Sequence, residues 1–156
     1  RRQRQMCIRD RDIIIKLGKS IPILGICLGM QGIVHSFGGK IIHAKEPMHG
    51  KISFLLHDEK GIYEKIPQNI EIMRYHSLVV DIETLPDCFD INGISQENDN
   101  KNNILEIKQI TPKCEIMAIS HKIYPIYGIQ YHPESFGSEG GIEILQNFLF
   151  NDNSNK

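Results

Sequence analysis

The chain has 156 residues, 40% hydrophobic and 24% charged, with 18 Lys and Arg against 19 Asp and Glu. That is the length of one ordinary domain, able to bury roughly 70% of its unfolded surface, and the composition is neither disordered nor collagen-like. No apolar run approaches the ~20 residues that span a bilayer, which excludes an integral membrane helix.

The near-neutral total conceals an uneven distribution. Arg1, Arg2, Arg4, Arg9 and Arg11 crowd the first eleven positions, and only Arg74 follows, beside 12 lysines. A basic arm of this kind suits nucleic acid. However, the body is rich in Ile, Lys and Asn, and RQMCIRDR resembles translated adapter sequence. Residues 1–11 are therefore read as a non-native lead, with the native chain continuing upstream, and no nucleic-acid partner is expected. The four cysteines (Cys7, Cys27, Cys88 and Cys114) form no CxxC pair and no Cys/His zinc pattern, so a reducing cytoplasm is the expected compartment.

Asp12–Gly18 reads as the end of a helix with Gly18 as its stop. Ile21–Ile26 is a short apolar run that suits a buried parallel strand. Met30, Ile33, Val34 and Phe37 then recur at i, i+3, i+4 and i+7, the stripe of an amphipathic helix that Gly38-Gly39 ends. Candidate strands follow at Lys40–His43, Lys51–Leu56, Glu71–Arg74, Phe89–Ile94, Ile104–Gln109, Glu115–His121 and Ile126–Tyr131. Ser95–Asn103 is polar and predicts an exposed hairpin loop. A last helix is expected from about Glu139 to Phe150, with Ile142, Leu145 and Leu149 facing the core, before residues 151–156 fray. The element order predicts a layered α/β domain over 12–150.

Cys27 falls where a buried strand turns sharply into a helix, inside Gly25-Ile26-Cys27-Leu28-Gly29, the G-x-nucleophile-x-G form of a nucleophile elbow. Such a turn forces unusual backbone angles, and small neighbours relieve the crowding. It lifts Sγ above the carboxyl end of the strand, where open α/β sheets bind ligands. The helix N-terminus is expected to favour thiolate, and the Leu28 backbone N–H to stabilise an oxyanion. A buried structural cysteine is the alternative. A thiol nucleophile needs a base and the base an orienting partner. His132-Pro133-Glu134 follows a buried strand and offers an imidazole with a carboxylate two residues on; a surface or capping histidine is the plainer reading. His43, His49, His57 and His121 read as structural, and His35 lies too far along its helix to reach Sγ. Tyr75 reads as core or cleft wall.

GICLGMQ at Gly25–Gln31 and YHPES at Tyr131–Ser135 resemble the two signatures of class I glutamine amidotransferases. PMHGK at Pro47–Lys51 and RYHSLVV at Arg74–Val80 narrow the resemblance to component II of anthranilate synthase and of aminodeoxychorismate synthase. The resemblance spans about Asp12 to Phe150. It implies a flavodoxin-like three-layer α/β sandwich with a mixed central sheet, missing its N-terminal strand or strands. It also implies the roles. Cys27 attacks the side-chain amide of L-glutamine and releases ammonia, His132 is general base and acid, and Glu134 orients it. Leu28 supplies an oxyanion donor, Gln31 contacts the bound glutamine, and the Ser77–Leu78 backbone holds its amino-acid end. Gln31 as an exposed polar residue, and Ser77-Leu78 as an ordinary turn, remain the plain alternatives. His76 is expected to shape its loop.

No cofactor is implied in this chain. Chorismate and Mg²⁺ belong to the expected partner, a synthase subunit that uses the ammonia in tryptophan or folate biosynthesis. The family's Pro/Gly-rich loop, which carries the second oxyanion donor, has no match before Ile21, so the 156 residues alone are expected to be poorly active. Three other readings compete: an amidotransferase of guanylate or carbamoyl phosphate synthesis, a non-catalytic partner-binding subunit, and a stand-alone cysteine hydrolase. PMHGK and RYHSLVV argue against the first, RYHSLVV against the third, and intact Cys27, His132 and Glu134 against the second.

Overall fold

A computed structural model of the chain describes residues 11–96 and 114–150. The predicted strand Ile104–Gln109, most of the predicted hairpin loop, the residues before Arg11 and the tail 151–156 lie outside the described residues. Helix over residues 11–17 (α1) stops at Gly18, whose N–H bonds the Ile14 carbonyl at 3.1 Å. A Cβ there would stand 2.5 Å from that oxygen and 2.6 Å from Ile126, so only glycine lets the chain turn this close to the sheet.

Strand β1 (Ile23–Ile26) leads through Cys27 into helix α2 (Leu28–Ser36). Met30, Ile33 and Val34 are buried, in line with their spacing, each burial contributing about 1.5–3 kcal/mol. The chain continues through β2 (Ile41–His43), β3 (Lys51–His57), β4 (Ile70–Arg74), β5 (Leu78–Val80), β6 (Phe89–Gln96), β7 (Ile116–His121) and β8 (Ile126–Ile129) to helix α3 (Gly141–Phe150). Six strands form one mixed sheet in the order β1-β8-β7-β6-β3-β4. Among the described residues only β1 and β8 run parallel in it, with Ile26 opposite Ile129. Strands β2 and β5 form a separate antiparallel pair, Ile42 opposite Val79. Among the described residues, β1 pairs on one side only.

Two apolar clusters flank the sheet. Met30, Ile33, Val34, Phe89, Ile119 and Ile126 pack under α2. Leu55, Tyr63, Ile72, Met117, Tyr131 and Ile144 pack under α3. The sheet is curled. The His132 N–H, just past β8, donates to the Met73 carbonyl of β4 at 3.1 Å, and the Met73 N–H donates to Ser138 Oγ at 3.0 Å. Strands at nearly opposite margins of the sheet thus meet at the segment that carries His132.

Two expectations are corrected. The core face of α3 is not Ile142, Leu145 and Leu149: Ile144 is fully buried and Phe148 packs on the core, whereas Ile142 and Leu149 face solvent. Nearly every side of GIEILQNFLF carries an apolar residue, so spacing could not choose the face. What fixes it is Gly141, where a Cβ would stand 1.9 Å from the Pro133 carbonyl oxygen. Ser77-Leu78 is not simply a turn either, because Leu78 opens β5.

Candidate active site

Cys27 has φ 52° and ψ −104°, a left-handed conformation that costs a non-glycine residue about 1–3 kcal/mol. The surroundings hold it there. Its N–H donates to the Ile129 carbonyl at 2.7 Å, and its carbonyl accepts from Gln31 N–H at 3.2 Å, the first turn of α2. The two glycines of the motif do different things. A Cβ on Gly25 would press within 2.7 Å of the Gly29 backbone and of Ile33, so Gly25 permits the strand-to-helix crossing itself. A Cβ on Gly29 would meet nothing within 4 Å. The second glycine relieves no crowding within the chain and leaves open space beside the exposed start of the helix.

Because β1 and β8 are parallel neighbours, their carboxyl ends lie side by side, and the chain leaves β8 through Gln130, Tyr131 and His132. His132 Nδ1 and Glu134 Oε1 are 2.7 Å apart. The imidazole also meets the edge of the Tyr75 ring, with centroids 5.5 Å apart. The sulfur and the imidazole occupy adjoining strand ends, but no hydrogen bond joins them. What the sulfur does have is Gln130, whose Nε2 donates to Sγ at 3.7 Å.

Burial pushes the Cys27 thiol above its ordinary pKa. The Leu28 backbone N–H and the Gln130 amide favour thiolate and only partly offset it, while the Glu134 carboxylate adds to the rise. This runs against the expected lowering of the thiol pKa: desolvation outweighs the hydrogen bonds from the Leu28 N–H and Gln130. The resting group is the neutral thiol, which makes a nearby proton acceptor necessary rather than optional. For Glu134 burial acts upward, but the hydrogen bond with His132 holds its carboxyl below the usual range.

Leu28 is 76% exposed, and its backbone N–H hydrogen-bonds Sγ. Gln31 is not on the exposed side of α2. It is 6% exposed, and its Nε2 donates both to the Leu78 carbonyl at 3.0 Å and to Gln130 Oε1 at 3.1 Å. Ser77 and Leu78 lie on the same side of the site, with the Ser77 carbonyl accepting from Ala44 N–H at 2.9 Å. His76 is buried and accepts from Arg74 Nε at 3.1 Å. Burial, then the adjacent guanidinium, lowers its pKa to about 4, so it is neutral near pH 7. Arg74 further bonds Ser53 Oγ and the Glu115 carboxylate. Among the described residues no group of three or more His, Cys, Asp or Glu side chains is disposed to hold a metal ion.

Sequence reasoning misses Gln130. Its signal is slight: one polar residue in the apolar run IYGIQY, two positions before His132. Tyr75 is half-exposed, and its ring stands nearly perpendicular to the imidazole.

The glutamine amidotransferase class-I family model matches residues 3–151. Anthranilate synthase component 2 of Leptospira biflexa is 46% identical over 138 residues, 88% of this chain and 63% of that protein. Aminodeoxychorismate synthase component 2 of Escherichia coli K12 is 38% identical over 138 residues, 88% of this chain and 65% of that protein. The chain thus spans somewhat under two thirds of these relatives' length. A solved structure of a glutamine amidotransferase from Thermotoga maritima superposes with a TM-score of 0.60 at 20% identity, over 85% of this chain and 47% of that one, a likeness of fold. The elbow at Cys27, the His132–Glu134 pair one strand away and these matches agree: the chain belongs to the class I glutamine amidotransferase family.

Proposed function

We propose that this chain is the glutamine-hydrolysing subunit of anthranilate synthase. The Cys27 sulfur attacks the side-chain amide carbon of L-glutamine while His132 takes the thiol proton. The Leu28 N–H stabilises the oxyanion, and the tetrahedral intermediate collapses as His132 returns the proton to departing ammonia. Water, deprotonated by the same imidazole, then cleaves the γ-glutamyl thioester, releasing glutamate and restoring the thiol. Glu134 holds the ring and stabilises its charged form. Ser77 and Leu78 hold the amino-acid end of glutamine. A chorismate-binding synthase subunit, which carries Mg²⁺, receives the ammonia. The cytoplasm is the compartment this reading assigns, in keeping with Cys27 and Cys88 forming no disulfide.

One observation carries this reading: a strained cysteine at the end of β1 beside the exit of β8, where an imidazole is paired to a carboxylate at 2.7 Å. The similarity to component 2 proteins supports the pathway. The test is Cys27→Ser in the full-length protein with its synthase partner. Glutamine-dependent synthesis should vanish while ammonia-dependent synthesis persists. Loss of both would make Cys27 structural, and survival of the first would remove it as nucleophile. The similarity to the E. coli protein over the same span favours a second reading, aminodeoxychorismate as product, which chromatography of the product decides.

A further inference from the structure

The Leu78 carbonyl oxygen can only accept a hydrogen bond, so the Gln31 group facing it at 3.0 Å must be its nitrogen. That nitrogen carries two protons, and it also lies 3.1 Å from the side-chain amide of Gln130. Gln130 must therefore turn its oxygen toward Gln31. An amide is planar with its oxygen and nitrogen on opposite sides, so the Gln130 nitrogen points the other way, at the Cys27 sulfur 3.7 Å off. The usual ambiguity of a glutamine flip is removed by a backbone carbonyl two links away. Gln130 is fully buried and Gln31 nearly so, leaving no room for solvent to take over either role.

We propose that Gln130 is a further catalytic residue, whose side-chain N–H holds the Cys27 sulfur and strengthens its bond as the thiolate forms, and that Gln31 is the positioning residue that fixes the direction of that amide. A donor 3.7 Å from a neutral thiol is weakly engaged. Hydrogen bonds to ionised acceptors are shorter and about twice as strong, so this one grows when the proton leaves for His132. The sulfur is thereby tied through two neutral amides to Leu78, on the segment assigned to the substrate's amino-acid end.

This deepens the nucleophile reading and rests on it, but its test reads the sulfur itself. In the full-length protein, iodoacetamide alkylation of Cys27 is followed against pH by mass spectrometry of the Cys27 peptide. Gln130→Met keeps the length and removes the donor. The alkylation midpoint should rise by about one pH unit, a roughly tenfold slower reaction near pH 7. Gln31→Met, which frees the Gln130 amide to turn, should give a smaller rise in the same direction, and the double variant should match Gln130→Met alone. An unmoved midpoint in folded Gln130→Met, or fully additive shifts, overturns the proposal. Should the variants not fold, the unaltered protein still decides: the Gln130 side-chain amide protons must titrate by NMR with the alkylation midpoint, and their failure to shift overturns it. A Cys27 that alkylates as expected in a protein that never hydrolyses glutamine would sink the functional reading, and with it the catalytic role of Gln130, while leaving the Gln130 hydrogen bond to the sulfur standing.

Discussion

Two buried polar networks border the cleft, and they are built from opposite materials. Beside Cys27, Gln31 and Gln130 connect sulfur to backbone through neutral amides. At the end of β4, Arg74 gathers the Glu115 carboxylate, Ser53 and His76 around a full positive charge. The contrast follows from what each must do. A buried ion pair gives a fixed, geometrically demanding joint and costs heavily when one partner goes. Neutral amides can support a sulfur that alternates between thiol and thiolate, because they hold no charge of their own for the new one to oppose. The ionic side braces the 74–78 segment, and the amide side accommodates chemistry.

The sharpest way to break this contrast is at the ionic end. Glu115→Ala takes a carboxylate from a guanidinium whose side chain is 4% exposed and should cost about 3 kcal/mol in urea unfolding, far more than a surface pair. A loss below about 1 kcal/mol would reduce Arg74 to an ordinary surface cation. His76 adds a pH dependence to the same network. Its folded pKa of about 4 lies below the unfolded value near 6.5, so the unfolded chain binds more protons between those limits. Its contribution is fully present above pH 6.5 and is lost as pH falls toward 4, on the order of 3 kcal/mol in all. His76→Gln keeps an acceptor for Arg74 and should flatten that part of the stability–pH curve; an unchanged slope would assign it elsewhere. The smallest effect has the opposite sign and belongs to the amide end. Cys27→Gly relieves the left-handed backbone and should raise stability by about 1 kcal/mol while abolishing turnover. A destabilised glycine variant would mean that packing of the sulfur outweighs the strain.

Much of this is legible in the residues. The α2 stripe announces itself because Met30, Ile33 and Val34 recur at helical spacing and are buried together. The elbow and the His132-Pro133-Glu134 turn are legible because their chemistry demands particular residue types at short spacing. What stays hidden depends on distant partners. Strand β5 is three residues long and exists by pairing with β2, far earlier in the chain. The buried side of α3 is chosen by the approach of Gly141 to Pro133 rather than by its own pattern. Gln130 looks like an isolated polar residue until Gln31, 99 positions away, is seen to set its direction. The thiol pKa escapes the sequence for a related reason: local residues show the helix start, but desolvation is a property of the assembled surroundings.

The hydrogen bond from His132 N–H to the Met73 carbonyl gives the imidazole a dual allegiance. Covalently it belongs to β8, the sheet's only parallel partner for the nucleophile strand among the described residues, yet its backbone is pinned by β4 at the far margin. Loosening that margin would slacken the imidazole even with the sulfur's own strand intact. A protein gripping the outer strand would therefore have mechanical leverage over where the imidazole stands, without touching the sulfur.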